Sequence, residues 1–506
     1  MTRIVPSGAC KVSLLLILAA SCSTQGMHVP DAGQDPSDAG AIADATPAPV
    51  CGGLRWSGDV LIEDAEDLAE LVGYNTIGGR VTIRSPSITD LDPLASLNCV
   101  TLSLIIEGNA ALGNVDGLAN VQDIGSVLVI RDNPALEQVD GLAGIREAPF
   151  GLVVENNAKL LTVEGLRGLG DIGGDLSVAE NRSLQTLSGL RAVESVNGDV
   201  TIGHNDALTE LGLSSLGSIQ GELYVGHNPL LTSLNGLEAL REIGTDLRIL
   251  ENETLADMSA LDDLRSVGRF LHIWTNPSVV ALDGMNSLEV GSSIYVTGAG
   301  IVSFDGFNGI EQANADLRLE GLHSLDALTG FRSLKSVGES LVIRDNLGLK
   351  TIPGLASLES VEVLFIVNND ELASITGLSS LHEVGALEIY DNEKLPNVDG
   401  LEAVQEIGGA GIGGTLLVRN NAGLRDLGGL ANLSTLSSSL EIARNDALEQ
   451  LGLDSLSSFM GCCFKIYDNP MLPTCEADEL VAAVAAGGWD GRADVYDNDD
   501  SGVCAE

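Results

Sequence analysis

The sequence predicts an all-β fold, a parallel β-solenoid built by repeating one short turn. Three observations carry this expectation. Asparagine recurs at Asn109, Asn133, Asn157, Asn181, Asn205, Asn228, Asn252 and Asn276, and again at Asn346, Asn369, Asn392, Asn421, Asn445 and Asn469. Most steps are 23 or 24 residues, a period typical of stacked repeats. Within one unit the apolar residues Leu128 and Ile130 are spaced by two, as in a strand. Leu136, Val139, Leu142 and Ile145 then follow in steps of three, with Gly141 breaking any sustained helical period. Finally, the 506 residues contain only 3% aromatics, which suits a thin core of stacked aliphatic ladders better than a large globular core.

From the N-terminus, Arg3 and Lys11 precede an apolar run, Val12–Ala20, too short to span a bilayer. It ends in "LAASC", which resembles the lipobox of bacterial lipoproteins, although Ala19 stands where that family usually has Leu. The resemblance implies a signal peptide over 1–21 and lipidation at Cys22. Ser23 behind it implies an outer-membrane destination, with free secretion as the alternative. Residues 22–50 are rich in Pro, Ala, Asp and Gly with little to bury, and are expected to form a disordered tether.

The repeats are expected over residues 51–474. A coil corner buries backbone N–H and C=O groups, and an inward-pointing Asn can satisfy both, so the Asn column is read as structural. The pattern "LxIxxNxxLxxLxGLxxLxxI" resembles the receptor L-domain repeat, a relative of leucine-rich repeats, across about residues 58–498. The resemblance implies a right-handed coil of about 18 turns, used for binding and not for catalysis. At ~4.8 Å per turn its length would be on the order of 85 Å. The copies at Val296 and Leu319 lack the Asn and are expected to be a soft spot without a domain boundary. "GGAGIGG", in the one long step between Asn392 and Asn421, reads as a flexible loop.

Open coil ends need caps. Apart from Cys10 and Cys22, the cysteines cluster at the two ends: Cys51 and Cys99, then Cys462, Cys463, Cys475 and Cys504. Cys475 and Cys504 each follow an Asn by six residues, so they would lie one strand spacing apart, within disulfide reach. Cys51–Cys99 would tie the other end, and the partners of Cys462 and Cys463 stay open. Residues 475–506 are expected to form the C-terminal cap. It would include a helix over 476–486, N-capped by Thr474 and ended by Gly487.

The formal charge of −46 argues against nucleic acid and anionic lipid surfaces as partners. No nucleophile elbow, phosphate loop or zinc-protease motif is present, so the expectation is no enzyme and no cofactor. "DNDDSG" at 497–502 lacks the closing Glu of a calcium loop and reads as a capping turn. Glu180, His204, His227 and Glu251 occupy one column before the Asn. They invite a metal reading, but Asp132, Asn156, Asp345 and Arg444 fill the same column elsewhere, so no metal is assigned.

The outward face is more informative. The two residues flanking the Ile of each strand hold Tyr224, Trp274, Tyr295, Phe365, Tyr390, Tyr467 and Tyr496, more than two positions in a 24-residue turn would collect by chance. Arg248 and His272 share that face. Stacked aromatics stabilise sheets, yet exposed aromatics beside Arg also form binding surfaces. The expected ligand site is Tyr224, Arg248, His272, Trp274 and Tyr295, with Arg248 as a forked donor and His272 as a pH-dependent edge. The functional expectation is a surface recognition or adhesion protein binding a protein or glycan. A structural envelope spacer is the alternative, and a polysaccharide-acting enzyme a third class.

Overall fold

A computed structural model describes residues 51–408 and 413–501. The signal segment, the tether, Cys22, Cys504 and the centre of the "GGAGIGG" loop lie outside the described residues.

The chain winds into a parallel β-solenoid of about 17 turns. Its front is one continuous parallel sheet running from Val60–Ile62 to Ala493–Tyr496. The register advances by one whole turn at each step, so Leu128 pairs with Leu152, Leu152 with Leu176 and Leu176 with Val200. Equivalent aliphatic side chains therefore stack on one another, and the inward residues form fully buried ladders. A second side carries strands of two residues, such as Asp123–Ile124, Glu147–Ala148 and Asp171–Ile172.

The third side is built differently from the other two. The apolar steps of three resolve into short 3₁₀ turns at Asp116–Leu118, Asp140–Leu142, Glu164–Leu166 and Ser188–Leu190. A three-residue period suits a 3₁₀ turn, which eclipses residues three apart. The Gly in these turns is required by close stacking: a Cβ on Gly141 would lie 2.0 Å from the Val115 carbonyl oxygen of the turn below.

The Asn column is a hydrogen-bonded ladder at the corner leaving the front sheet. Asn181 Nδ2 donates to the Val154 carbonyl at 2.8 Å, and its Oδ1 accepts from Asn157 N–H at 3.0 Å. Its own N–H donates to Asn205 Oδ1 at 3.1 Å. The residue before each Asn sits in the left-handed region, as at Asp132, Asn156, Glu180, His204, His227 and Glu251. Polar side chains such as Asn, Asp and His tolerate this conformation best. The left-handed backbone thus accounts for the polar residues that fill this column.

The two mid-coil turns without Asn keep the corner by other means. Gly298 and Gly321 take the left-handed position before Ala299 and Leu322. Inside, Phe304, Phe307 and Phe331 pack together with centroids 5.5–5.9 Å apart, all fully buried. The front register runs through unbroken, Ile294 pairing with Leu317 and Leu317 with Leu341. The turns expected to be a soft spot contain this packed aromatic core, and the front sheet crosses them without a break.

The N-terminal end is closed by a short helix, Ala65–Glu70, which the sequence reading missed. Its signal was the capping box of Asp64 with Asp67. Leu68 and Leu71 cover the first turn, and Cys51 and Cys99 are bridged. At the other end the helix spans Thr474–Ala486 and stops at Gly487 as expected, but Pro473 is its N-cap. Thr474 instead lies inside the first turn and donates from Oγ1 to Asp500 at 2.7 Å. Trp489 plugs the end beside Phe459 and Phe464. The helix is interposed within the last turn, since Ala493–Tyr496 rejoins the front sheet and Asn498 continues the ladder beneath Asn469. Asp499 Oδ1 accepts from the N–H and hydroxyl of Ser501, a local turn at the end of the described residues. Cys475 is disulfide-bonded, whereas Cys462 is a free, exposed thiol; Cys462 and Cys463 are not bridged to each other.

Candidate ligand face

Strands Leu223–Gly226, Leu247–Leu250, Leu271–Trp274, Ile294–Thr297 and Leu317–Glu320 lie side by side at the middle of the front sheet. Their register places Tyr224, Arg248, His272, Tyr295 and Arg318 in one outward row, each beside the next. Trp274 lies in the neighbouring outward row, between Leu250 and Thr297. The alternation read from the sequence therefore has the correct register, and the five expected residues do share one surface.

Their environments differ from the expectation. His272 meets Trp274 at 6.1 Å with ring planes 14° apart, and Tyr295 edge-on at 5.8 Å. Phe270, which the sequence reading missed, stacks on Tyr295 at 6.3 Å. It precedes the strand proper, outside the two outward positions that flank the strand's Ile. Asp246 and Asp316 stand at the same pre-strand position and hold the arginines. Asp246 is fully buried and ion-paired with Arg269 at 2.7 Å and Arg248 at 3.0 Å. Asp316 pairs with Arg318 at 3.3 Å and accepts from the Tyr295 hydroxyl at 2.9 Å. Arg318 lies over the Tyr295 ring and Arg269 over Phe270, both at cation–π distance.

Three expected roles change accordingly. Arg248 is not a free forked donor, because Asp246 and Glu222 already engage it. His272 is not a pH-dependent edge near neutrality. Burial, helped by the Arg248 charge, pushes its pKa down to about 4, so the ring is neutral. Tyr224 is not exposed: it is 7% accessible and lies flat over Gly203 and Gly226, where a Cβ on Gly226 would meet its hydroxyl at 2.4 Å. Burial, with the nearby Glu251 and Glu222, raises the phenol to about 12. Burial would lift the Asp246 carboxyl, but the Arg269 and Phe270 hydrogen bonds and the arginine charges hold it below its usual value.

The other aromatics of the face are scattered. Phe365 is nearly covered, Tyr390 lies under Arg419, and Tyr467 stacks on Tyr496 at 5.0 Å near the C-terminal edge. On this face, among the described residues, more than two rings meet only around Trp274. On the adjoining corner His204 and His227 stack at 4.3 Å, and Glu251 approaches His227 Nδ1 at 3.3 Å.

The architecture defines the class: a parallel β-solenoid with leucine-rich-type repeats, whose broad sheet is open to solvent on its outer face. No protein-family model and no curated protein matches the sequence. Among solved structures, the chain is similar to that of the TLR13–ssRNA13 complex at 14% identity, over 87% of this chain and 83% of the other, with a TM-score of 0.27. It is similar to an internalin (inlF) from Listeria monocytogenes at 14% identity, over 79% and 84% of the two chains, with a TM-score of 0.25. The Leptospira interrogans LRR protein LIC12759 matches at 14% identity over 86% and 99%, with a TM-score of 0.27.

Proposed function

We propose that the protein is a surface-anchored recognition or adhesion protein that engages its ligand on the front face around Trp274. The observation that carries this reading is the local concentration of rings. Phe270, His272, Trp274 and Tyr295 touch in a chain with very few aromatics, and none is fully buried. Partly exposed aromatics flanked by Arg, on a rigid scaffold, supply contact area at little entropic cost. Anchoring through Cys22 and outer-membrane location belong to the same proposal: the acyl chains would hold the protein at the membrane and the tether would free the coil.

Glycan and protein arrays probed with the intact chain and with Trp274→Ala test the reading. The variant should melt within about 1 kcal/mol of the parent, since its side chain leaves the core ladders untouched. It should also lose the array signal. If the parent binds nothing on either array, the protein is a spacer, and the face is merely a stacked sheet.

A further inference from the structure

We infer that the ligand of this face is an uncharged oligosaccharide. The inference rests on the ligand-face reading above and names its chemistry. Two independent features point to it.

The first is unfilled hydrogen-bonding capacity. Among the described residues, the buried side-chain polar atoms that lack a partner are Tyr224 Oη, Arg318 Nε, Glu320 Oε1 and Arg419 Nε. All belong to outward positions of the front sheet, although the interior contains a whole column of buried Asn whose amides are paired. Buried polar groups are nearly always satisfied, so exceptions confined to one face mark places where water or a ligand hydroxyl can complete the set once the covering side chains shift. Tyr224 and the pair on strand Leu317–Glu320 bracket the aromatic cluster from its two sides. Four strand steps separate Tyr224 from Arg318, a span of about 19 Å. Together they offer a hydroxyl, an N–H donor and a carboxylate acceptor. Ligand hydroxyl groups, each both donor and acceptor, match such a mixed set.

The second feature is the charge state. Each arginine of the cluster is already committed: Arg248 to Asp246 and Glu222, Arg269 to Asp246, and Arg318 to Asp316. His272 is neutral. No uncommitted cation remains on the cluster to meet a carboxylate or sulfate, and the chain's charge of −46 repels polyanions. A polyol with apolar ring faces suits rings that are partly exposed and arginines that are neutralised in place. An acidic side chain of a protein partner would find no free cation on the cluster, where every arginine is already paired.

The test is calorimetric titration of the intact chain with uncharged tetrasaccharides: β-1,4-glucan, α-1,4-glucan, β-1,4-xylan and β-1,4-linked N-acetylglucosamine. Tetragalacturonate serves as the charged comparison. At least one uncharged tetrasaccharide should bind, and Trp274→Ala should weaken it by at least about tenfold. Tyr224→Phe is the sharper variant. It removes a hydroxyl with no protein partner, so the fold should be as stable as the parent while affinity falls about threefold to tenfold. Tighter binding of tetragalacturonate, or sugar binding that survives Trp274→Ala, overturns the inference. If no sugar binds but a protein on the array requires Trp274, the inference fails and the ligand-face reading stands. If nothing requires Trp274, both fall.

Discussion

The turns around Asn181 and the turns between residues 299 and 331 solve one problem in two ways. At Asn181 the corner is stitched by amides, each Asn bonding the turns above and below it, and the core beside it is purely aliphatic. Around Ala299 and Leu322 the amides are gone. Glycine takes the left-handed corner, and three phenylalanines fill the interior. The ladder is picked up again immediately, since Asn346 Oδ1 accepts from the Leu322 N–H at 2.9 Å. The sheet register passes through both regions unchanged. Stacking of identical turns, and not the Asn itself, therefore sets the geometry, while the Asn satisfies groups that the geometry buries.

Removal of an aromatic plug should have the largest effect. Phe304→Ala deletes a fully buried ring that touches both Phe307 and Phe331, and should cost about 3–5 kcal/mol. Denaturant unfolding would measure it, and a loss below 1 kcal/mol would mean that the Asn-free turns do not depend on their aromatic core. Next comes Asn181→Ala, which strands the Val154 carbonyl and the Asn157 N–H and should cost about 2–4 kcal/mol. Hydrogen exchange should show opening centred on the neighbouring turns, with the distant ends protected as before.

Acidification gives a smaller effect on the ligand face. Because burial lowers the His272 pKa from 6.5 to about 4, the unfolded chain binds a proton there that the folded chain refuses. Stability contributed by this group is complete above the unfolded value and declines as pH falls from about 6.5 towards 4. After allowing for its partial exposure, the loss is on the order of 2 kcal/mol. A His272→Gln variant should show a flatter pH profile across that window; identical profiles would mean the ring is more hydrated than its packing indicates. The smallest effect sharpens the corner argument. Glu180 holds φ at 58°, so Glu180→Gly, which imitates Gly298 and Gly321, should stabilise by about 0.5–1 kcal/mol. Destabilisation instead would show that the Glu side chain has a role beyond tolerating the bend.

Much of the ligand face was legible because a strand has period two. Leu271 and Ile273 had to be buried once stacked, and that alone turned His272 and Trp274 outward. Phe270 escaped because it lies before the strand, where sequence period carries no orientation, and only the fold shows it against Tyr295. The depth of Tyr224 was equally hidden. It follows from Gly203 and Gly226, one in the preceding turn and one on its own strand, which leave room for a ring to lie flat.

By itself the sequence determined the coil, its period, the direction each ladder faces and which ends carry cysteines. Those follow from hydrophobic spacing and a repeated residue, which are local properties of the chain. Tertiary structure alone decided that the third side is made of 3₁₀ turns and that phenylalanines replace the amide ladder. It also decided that every arginine around Trp274 is already paired. Each of these depends on what the next turn places about 4.8 Å away. A residue's burial, charge partner and pKa are properties of the stack, and the stack exists only once the chain has closed each turn upon the last.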